Sequence, residues 1–565
     1  MAARSPLATL ARLRAVRNAY GASAEREKRA LLTALDDLRL ATAAQVAALH
    51  EDLLFLCAFP GSPGTRRRAR RLLDEIGKRV RRLPRLRRSA LDDTGIAGSV
   101  TRHVFPFPVA HWLARTVASE VEIDWRHVDD ASLLDGFVGA LSRDAEREAF
   151  DGGDFATRDW IRLARRAGAQ SDLQWLMEAA AALPALAPRL ADAWDTAEVP
   201  VAWEIGESRW SVTHNMLAGA PIAWRMDMRR PPSEAVAQIA RPLPAIERLP
   251  RPGARRVIAS ARAALAARCR EVNAMTYPNV DEVWWCELGE GVALAVIGIS
   301  PTLRLTLETN TGYLLFANGV PVGYGGVTPL FRQANTGINI FDPYRGGEAA
   351  VMWVEMLRAF HSLYGTRRFI VNAYQFGAGN AEAIRSGAFW FYYRLGFRPA
   401  QAPTRALAAR EAQRMAADRK YRSDARTLKA LATGDLYLDL PGFSAEDGFD
   451  EALLPQVGAC AARKLARVPC WSRAEAERCV TARVAEELGI DNLAAWTAGE
   501  RRGFAFLAPV VANVAGMGEW EPGEREAVVA MMRAKGAPQE RGFALAARDA
   551  PRFFRALRGE LRRHA

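Results

Sequence analysis

The chain has 565 residues, half of them hydrophobic and a quarter charged, with a formal net charge of +13 and a pI near 9.8. This composition excludes a disordered chain, and the length exceeds what one core can fill, so two to four domains are expected. There is no run of about eighteen apolar residues and no apolar N-terminal stretch before a cleavage site, so neither a membrane span nor a secretion signal is expected.

Six cysteines lack any C-x-x-C pairing and seven histidines are scattered, which argues against zinc and fits a reducing cytoplasm. Arginine outnumbers lysine 71 to 6, a bias that coding composition alone can produce, and +13 over this length is a modest density. The local exception is residues 66–88, opening at Arg66 and closing at Arg88, with twelve basic and two acidic side chains. Its favoured reading is a solvated helix face near acids such as Asp92 and Asp93; contact with RNA or another acidic surface is the alternative.

In chain order, residues 1–198 read as a helical region. Apolar residues recur at three and four residues over 31–40 and 46–59, and Ser62 or Thr65 can cap the basic helix after the Gly-Ser-Pro-Gly break at 61–64. Further helical stretches fall at 133–150, 156–167 and 171–182. Residues 104–112 carry Pro106 and Pro108 and read as an extended crossing. Residues 199–253 form a Trp- and Pro-rich junction: PVAWEIG and SRWSVTH have strand-like content, and Trp203, Trp210 and Trp224 can serve as hydrophobic mass or stack on a ligand. Six prolines from 231 to 252 mark a linker or strap.

Residues 254–445 hold the sheet. A helix over 254–273 leads to an apolar strand at 291–299 and a strictly alternating one at 303–308, whose one face should be wet. Asn318-Gly319 joins two apolar runs, the strongest short hairpin signal. A run at 338–341 then enters Tyr344-Arg345-Gly346-Gly347 and a nearly all-apolar helix over 348–364, which Gly365 should close in a left-handed conformation. A second strand at 369–372 and an aromatic helix ending FYYRLGF (391–397) complete a right-handed crossover. Glu348, Glu355, Arg358 and Ser362 share one stripe of the apolar helix. That stripe is either its solvent face, or the place where Glu348 caps the helix's own amides. Helices over 405–432, a last strand at 436–440 and a helical region over 446–565 follow.

The order strand, glycine turn, helix, strand, helix, with FYYRLGF and the hairpin, resembles the GNAT family of N-acyltransferases over about 130 residues, 272–400. The resemblance implies an α+β domain with a mixed sheet in which two parallel strands splay around an acyl-CoA such as acetyl-CoA. Ile340, Phe341 and the turn residues Arg345, Gly346, Gly347, Ala349 and Ala350 would hold that cofactor. Asn380 would bind a cofactor amide or cap its own helix, capping being the better reading. Tyr392 matches the family's tyrosine and would reprotonate the departing thiolate. Tyr393 is its competitor, because Asn380 precedes Tyr392 by twelve residues where about seven is usual. Asp342 is the nearby candidate base. The turn, RGGEAA, departs from the family pattern at Glu348, where a glycine is usual. The acceptor would be an amine on a small molecule or a protein. Two further readings stand beside acyl-CoA transfer: an acyl or aminoacyl donor on a carrier or tRNA, and a non-catalytic binding scaffold.

Overall fold

The central hairpin and the helix after the glycine turn form where their turn and helix signals put them. The computed structural model describes residues 5–146, 148, 155–165, 168 and 170–563. Asn318 and Gly319 both take positive φ, 49° and 79°, as a two-residue hairpin turn requires, and join β7 (Thr311–Ala317) to β8 (Val320–Leu330). They belong to a ten-stranded sheet. Its order is β12 (Arg398–Pro399), β13 (Leu436–Asp439), β11 (Arg368–Val371), β9 (Gln333–Thr336), β8, β7, β6 (Val292–Ile299), β5 (Pro278–Gly289) and β4 (Ile246–Arg248). β10 (Asn339–Ile340) pairs only with β8. A three-stranded sheet of β1 (Val100–Val104), β3 (Pro200–Glu204) and β2 (Val121–Ile123), in that order, lies in the N-terminal region. No helix among the described residues is long and apolar enough to cross a membrane.

The helices used below are α1 (Ala43–Ala58), α2 (Pro63–Asp74), α3 (Phe107–Thr116), α4 (Arg251–Ala266), α5 (Ala349–Tyr364), α6 (Ala381–Ser386), α7 (Ala388–Arg394), α8 (Ala498–Val511) and α9 (Pro522–Lys535). Gly365 closes α5 at φ 67°, as expected. Buried apolar residues form two clusters. One, from Leu10 to Leu440 with Ala544, lies under the sheet and N-terminal helices; the other fills the C-terminal bundle and includes Leu307, Leu330 and Phe331.

Several expectations need correction. Residues 104–112 are not an extended crossing: α3 starts at Phe107, because Pro108 stands in its first turn, where no amide partner is lost. The strand-like SRWSVTH is irregular backbone. The alternation at 303–308 forms no strand; the Arg304 guanidinium turns inward to the carbonyls of Lys535, Ala537 and Pro538, leaving Leu303 and Leu305 exposed. The parallel neighbour of β11 is β9, not residues 338–341. The expected helices near 133–150 and 156–167 are Asp135–Leu141 and Thr157–Ala164, and the remainder lies partly outside the described residues.

The polar stripe of α5 is not a solvent face. The junction segment 225–243 lies along it: Arg225 meets Glu348, Gln238 donates to Glu355, Arg358 donates to the carbonyls of Arg241 and Pro242, and the Leu243 amide donates to Ser362. The basic helices of 66–88 also find partners. Arg68 and Arg71 pair with Asp36, Arg81 pairs with Glu207, and Arg79 donates to the carbonyls of Leu35, Asp36 and Leu38. Asp92 and Asp93 serve Arg102 instead.

Candidate functional site

The site begins where two parallel strands part. β9 pairs with β11 from Gln333 to Asn335, but the continuation β10 stays with β8, through Asn339 opposite Tyr324 and Ile340 opposite Gly323. Between them the β8 ladder is interrupted at Gly337 and Ile338. There the Tyr313 hydroxyl enters the sheet and donates to the Gly337 carbonyl. Gly325 opposite is required by this approach, since a Cβ would overlap the Tyr313 hydroxyl. Alternate backbone groups of an extended strand point to opposite edges. Phe341 N–H donates to Val322 of β8, so Ile338 and Ile340 face the opened side. There the Ile338 amide lies near the Tyr392 phenol, and the Ile340 carbonyl accepts from Arg345 Nε at 3.3 Å.

Tyr392 is buried, ringed by Trp353, Phe376 and Phe397 at centroid distances of 5.7, 6.3 and 5.8 Å. Burial raises its phenol well above the ordinary value, outweighing the Ile338 hydrogen bond, so the hydroxyl keeps its proton. Gln375, in the 3₁₀ turn after β11, lies against Gly337, where an added Cβ would stand 2.8 Å from its Cδ.

The other expected residues divide. Tyr393 turns away: its ring stacks on Phe389 under the Arg398 guanidinium, 4.1 Å from the centroid, and lines a separate cleft with Trp390 and Arg419. Asp342 is exposed and pairs with Arg345 at 3.0 Å. Arg345 also reaches Glu382 of α6 at 2.6 Å, so an exposed ion pair joins the end of β10 to the helix after β11. Phe341 offers no free amide. Its ring stacks on Tyr324, with the Arg268 guanidinium 3.9 Å away. Asn380 caps α6 by accepting from the Ala383 amide, at 3.0 Å.

At the glycine turn, Gly346 takes φ 80° and is exposed, with Ala349 and Ala350 half-buried behind it. The idea that Glu348 caps its own helix is corrected: it makes no cap bond. Its carboxylate, fully buried, accepts from Arg225 Nη2 at 2.9 Å and from the Arg229 amide at 3.2 Å. Arg225 Nη1 donates to the Glu290 carbonyl at 2.6 Å. Phe55 of α1 and Met228 cover the inner side of Gly347. The glutamate's charge is thus turned inward and paired with Arg225, away from the helix's own amides.

Sequence reasoning missed Arg225, Tyr313 and Gln375. Only Tyr313 had a signal, the Gly325-Gly326 pair inside a strand, which marks a close approach. Trp203 is buried and donates to Glu120, while Trp224 is 40% exposed. No protein-family model, curated protein or solved structure matches the chain.

Proposed function

We propose that the central unit is a GNAT-like acyltransferase that moves an acyl group from a thioester donor, acyl-CoA, to an amine. The observation that carries this reading is the nearness of the Ile338 amide to the buried Tyr392 phenol at the point where β10 and β11 separate. A thioester entering from the opened edge exchanges one partner for another. Its carbonyl oxygen takes the Ile338 N–H, which polarises the carbon for attack. Tyr392, released from that amide, is left facing the sulfur. The amine nitrogen bonds to the acyl carbon, the C–S bond breaks, and the Tyr392 proton goes to the thiolate. The tyrosinate recovers its proton from the one the amine sheds, through solvent.

The inward turn of Glu348 supports a diphosphate at the turn, because the carboxylate that would repel it is held by Arg225. The Arg345–Glu382 bridge must open for that group to reach Gly346 and Ala350. This requirement favours a second reading, a donor held mainly by its pantetheine arm, as on a carrier protein. For the tRNA version, residues 66–88 offer only part of their charge, because Arg68, Arg71, Arg79, Arg81 and Arg87 are engaged within the protein.

Thermal unfolding of the full chain with acetyl-CoA and with S-acetyl-pantetheine tests both readings. A ligand bound only by the native state raises the midpoint. Stabilisation by acetyl-CoA alone supports the first reading, and equal stabilisation by both supports the second. No shift with either at millimolar concentration would leave only a binding scaffold.

A further inference from the structure

A second cleft, of about 910 Å³, opens between the N-terminal region and the other end of the sheet, at β4 and β5. Three strands, β6 to β8, separate β5 from the parting of β9 and β10, so the cleft is distinct from the site above. Three half-buried tryptophans line it: Trp112 from α3, Trp210 from the irregular segment after β3, and Trp285 from β5. Trp112 and Trp210 meet edge to face at 5.6 Å, and the Arg209 guanidinium covers Trp210 at 4.3 Å from its centroid. Trp285 rests on Phe316 at 5.5 Å, and its N–H donates to Glu287. Its ring is therefore fixed in orientation while still bordering the opening.

The charges are unbalanced. Arg70, Arg255 and Arg256 border the cleft, are exposed, and form no ion pair within 4 Å among the described residues. With Arg209 they set four guanidinium groups against two carboxylates, Glu247 and Glu287. Like charges gathered around one opening are relieved by an anion, and guanidinium suits phosphate oxygens in particular. An anion alone does not account for indoles or carboxylates. A heteroaromatic base uses the indole face, and ribose hydroxyls or base amino groups use the carboxylate acceptors. The volume falls in the range of ligand clefts, and the junction between chain regions is a usual place for one.

We propose that this cleft binds a nucleoside phosphate, with its base on Trp285 and its phosphates among Arg209, Arg255 and Arg256. The ligand is either a free nucleotide or the end of a single-stranded RNA, which present the same chemistry.

The test is calorimetric titration of the full chain with ATP, with a single-stranded oligoadenylate twelve-mer, and with inorganic tripolyphosphate. ATP or the oligonucleotide is expected to bind at least ten-fold more tightly than tripolyphosphate. Trp285→Ala should weaken that binding about ten-fold, as loss of one base–aromatic stack does. The double variant Arg255→Gln/Arg256→Gln, both exposed positions on the first turns of α4, should weaken it further without changing the melting temperature. Preference for ATP identifies a free nucleotide. Preference for the twelve-mer, with a steep fall in affinity as salt rises, identifies RNA. Equal binding of tripolyphosphate unaffected by Trp285→Ala, or no binding of either nucleotide ligand at millimolar concentration, would overturn the proposal.

Discussion

Removing Arg225 should unfasten the junction segment from the crossover helix. Its side chain and that of Glu348 are 1% and 0% exposed, and their charged atoms stand 2.9 Å apart. At an effective dielectric of about 20, unit charges at that distance attract by about 6 kcal/mol, offset by several kcal/mol of lost hydration for each ion. The intact pair therefore contributes little net stability. Arg225→Met is different, because it leaves the Glu348 carboxylate buried with only the Arg229 amide as donor. The expected loss is about 3–5 kcal/mol, the usual result of deleting one member of a buried pair. The double variant Arg225→Met/Glu348→Gln removes both charges. It should return to within about 1.5 kcal/mol of the parent, because the neutral amide oxygen still accepts from Arg229. Urea unfolding followed by tryptophan fluorescence provides the measurement. The transition of the sheet and the N-terminal helices, which share the core around this pair, should move to lower urea. A single variant within about 1 kcal/mol of the parent, or a double variant no better than the single one, would refute the reasoning.

Three further outcomes follow from the same geometry. Tyr392→Phe should lower the turnover of acyl transfer by about 10²-fold or more, the usual contribution of a positioned proton donor. The same change should cost only about 1 kcal/mol in an unfolding titration, because it removes one hydroxyl and leaves the buried ring in place. Burial pushes the Glu282 carboxyl up to about 7, against the Arg541 amide, which pulls it down, and burial likewise raises Glu540. Since the folded protein holds these protons more tightly than the unfolded chain, their contribution to stability should be fully present below about pH 4.5. It should fall by about 3 kcal/mol as pH rises through 7, and Glu282→Gln should flatten the decline in a series of unfolding titrations. Gly536→Ala places a methyl group on the Gly499 carbonyl and 2.7 Å from the Gly503 amide nitrogen, where α9 ends against α8. Backbone cannot give way as a side chain can, so the change should cost about 3 kcal/mol or more, read as a lowered midpoint in a thermal scan.

Elements governed by neighbouring residues were legible in the sequence. The Asn318-Gly319 turn, the left-handed Gly365 and the Asn380 cap are each set by backbone preferences within a few positions. What failed depended on distant partners. Residues 303–308 alternate like a strand, yet Arg304 is drawn in by carbonyls more than 230 positions away. The stripe from Glu348 to Ser362 has the composition of a wet face, and it is polar because another polar segment lies on it. At the candidate site, Tyr392 could be singled out from its ending motif. Its contact with Ile338, and the departure of Tyr393 to another cleft, follow from the rotation of a short helix. Periodicity does not fix that rotation when five successive residues are aromatic.

The glutamate in the glycine turn acquires its meaning only in this setting. A carboxylate at the start of a helix ordinarily takes up the amides there, and would then compete with any incoming anion. Here the segment following Trp224 supplies a cation on the protein side of the turn, and the Pro60 carbonyl holds the Arg225 amide at 2.8 Å. Glu348 is thereby drawn inward, and Gly346 remains exposed on the outer side. The charge state of the turn is therefore set by a region outside the crossover unit. A break in the junction segment would let the carboxylate swing back to its own helix, so undocking of residues 225–243 and capping of the first turn by Glu348 should occur together.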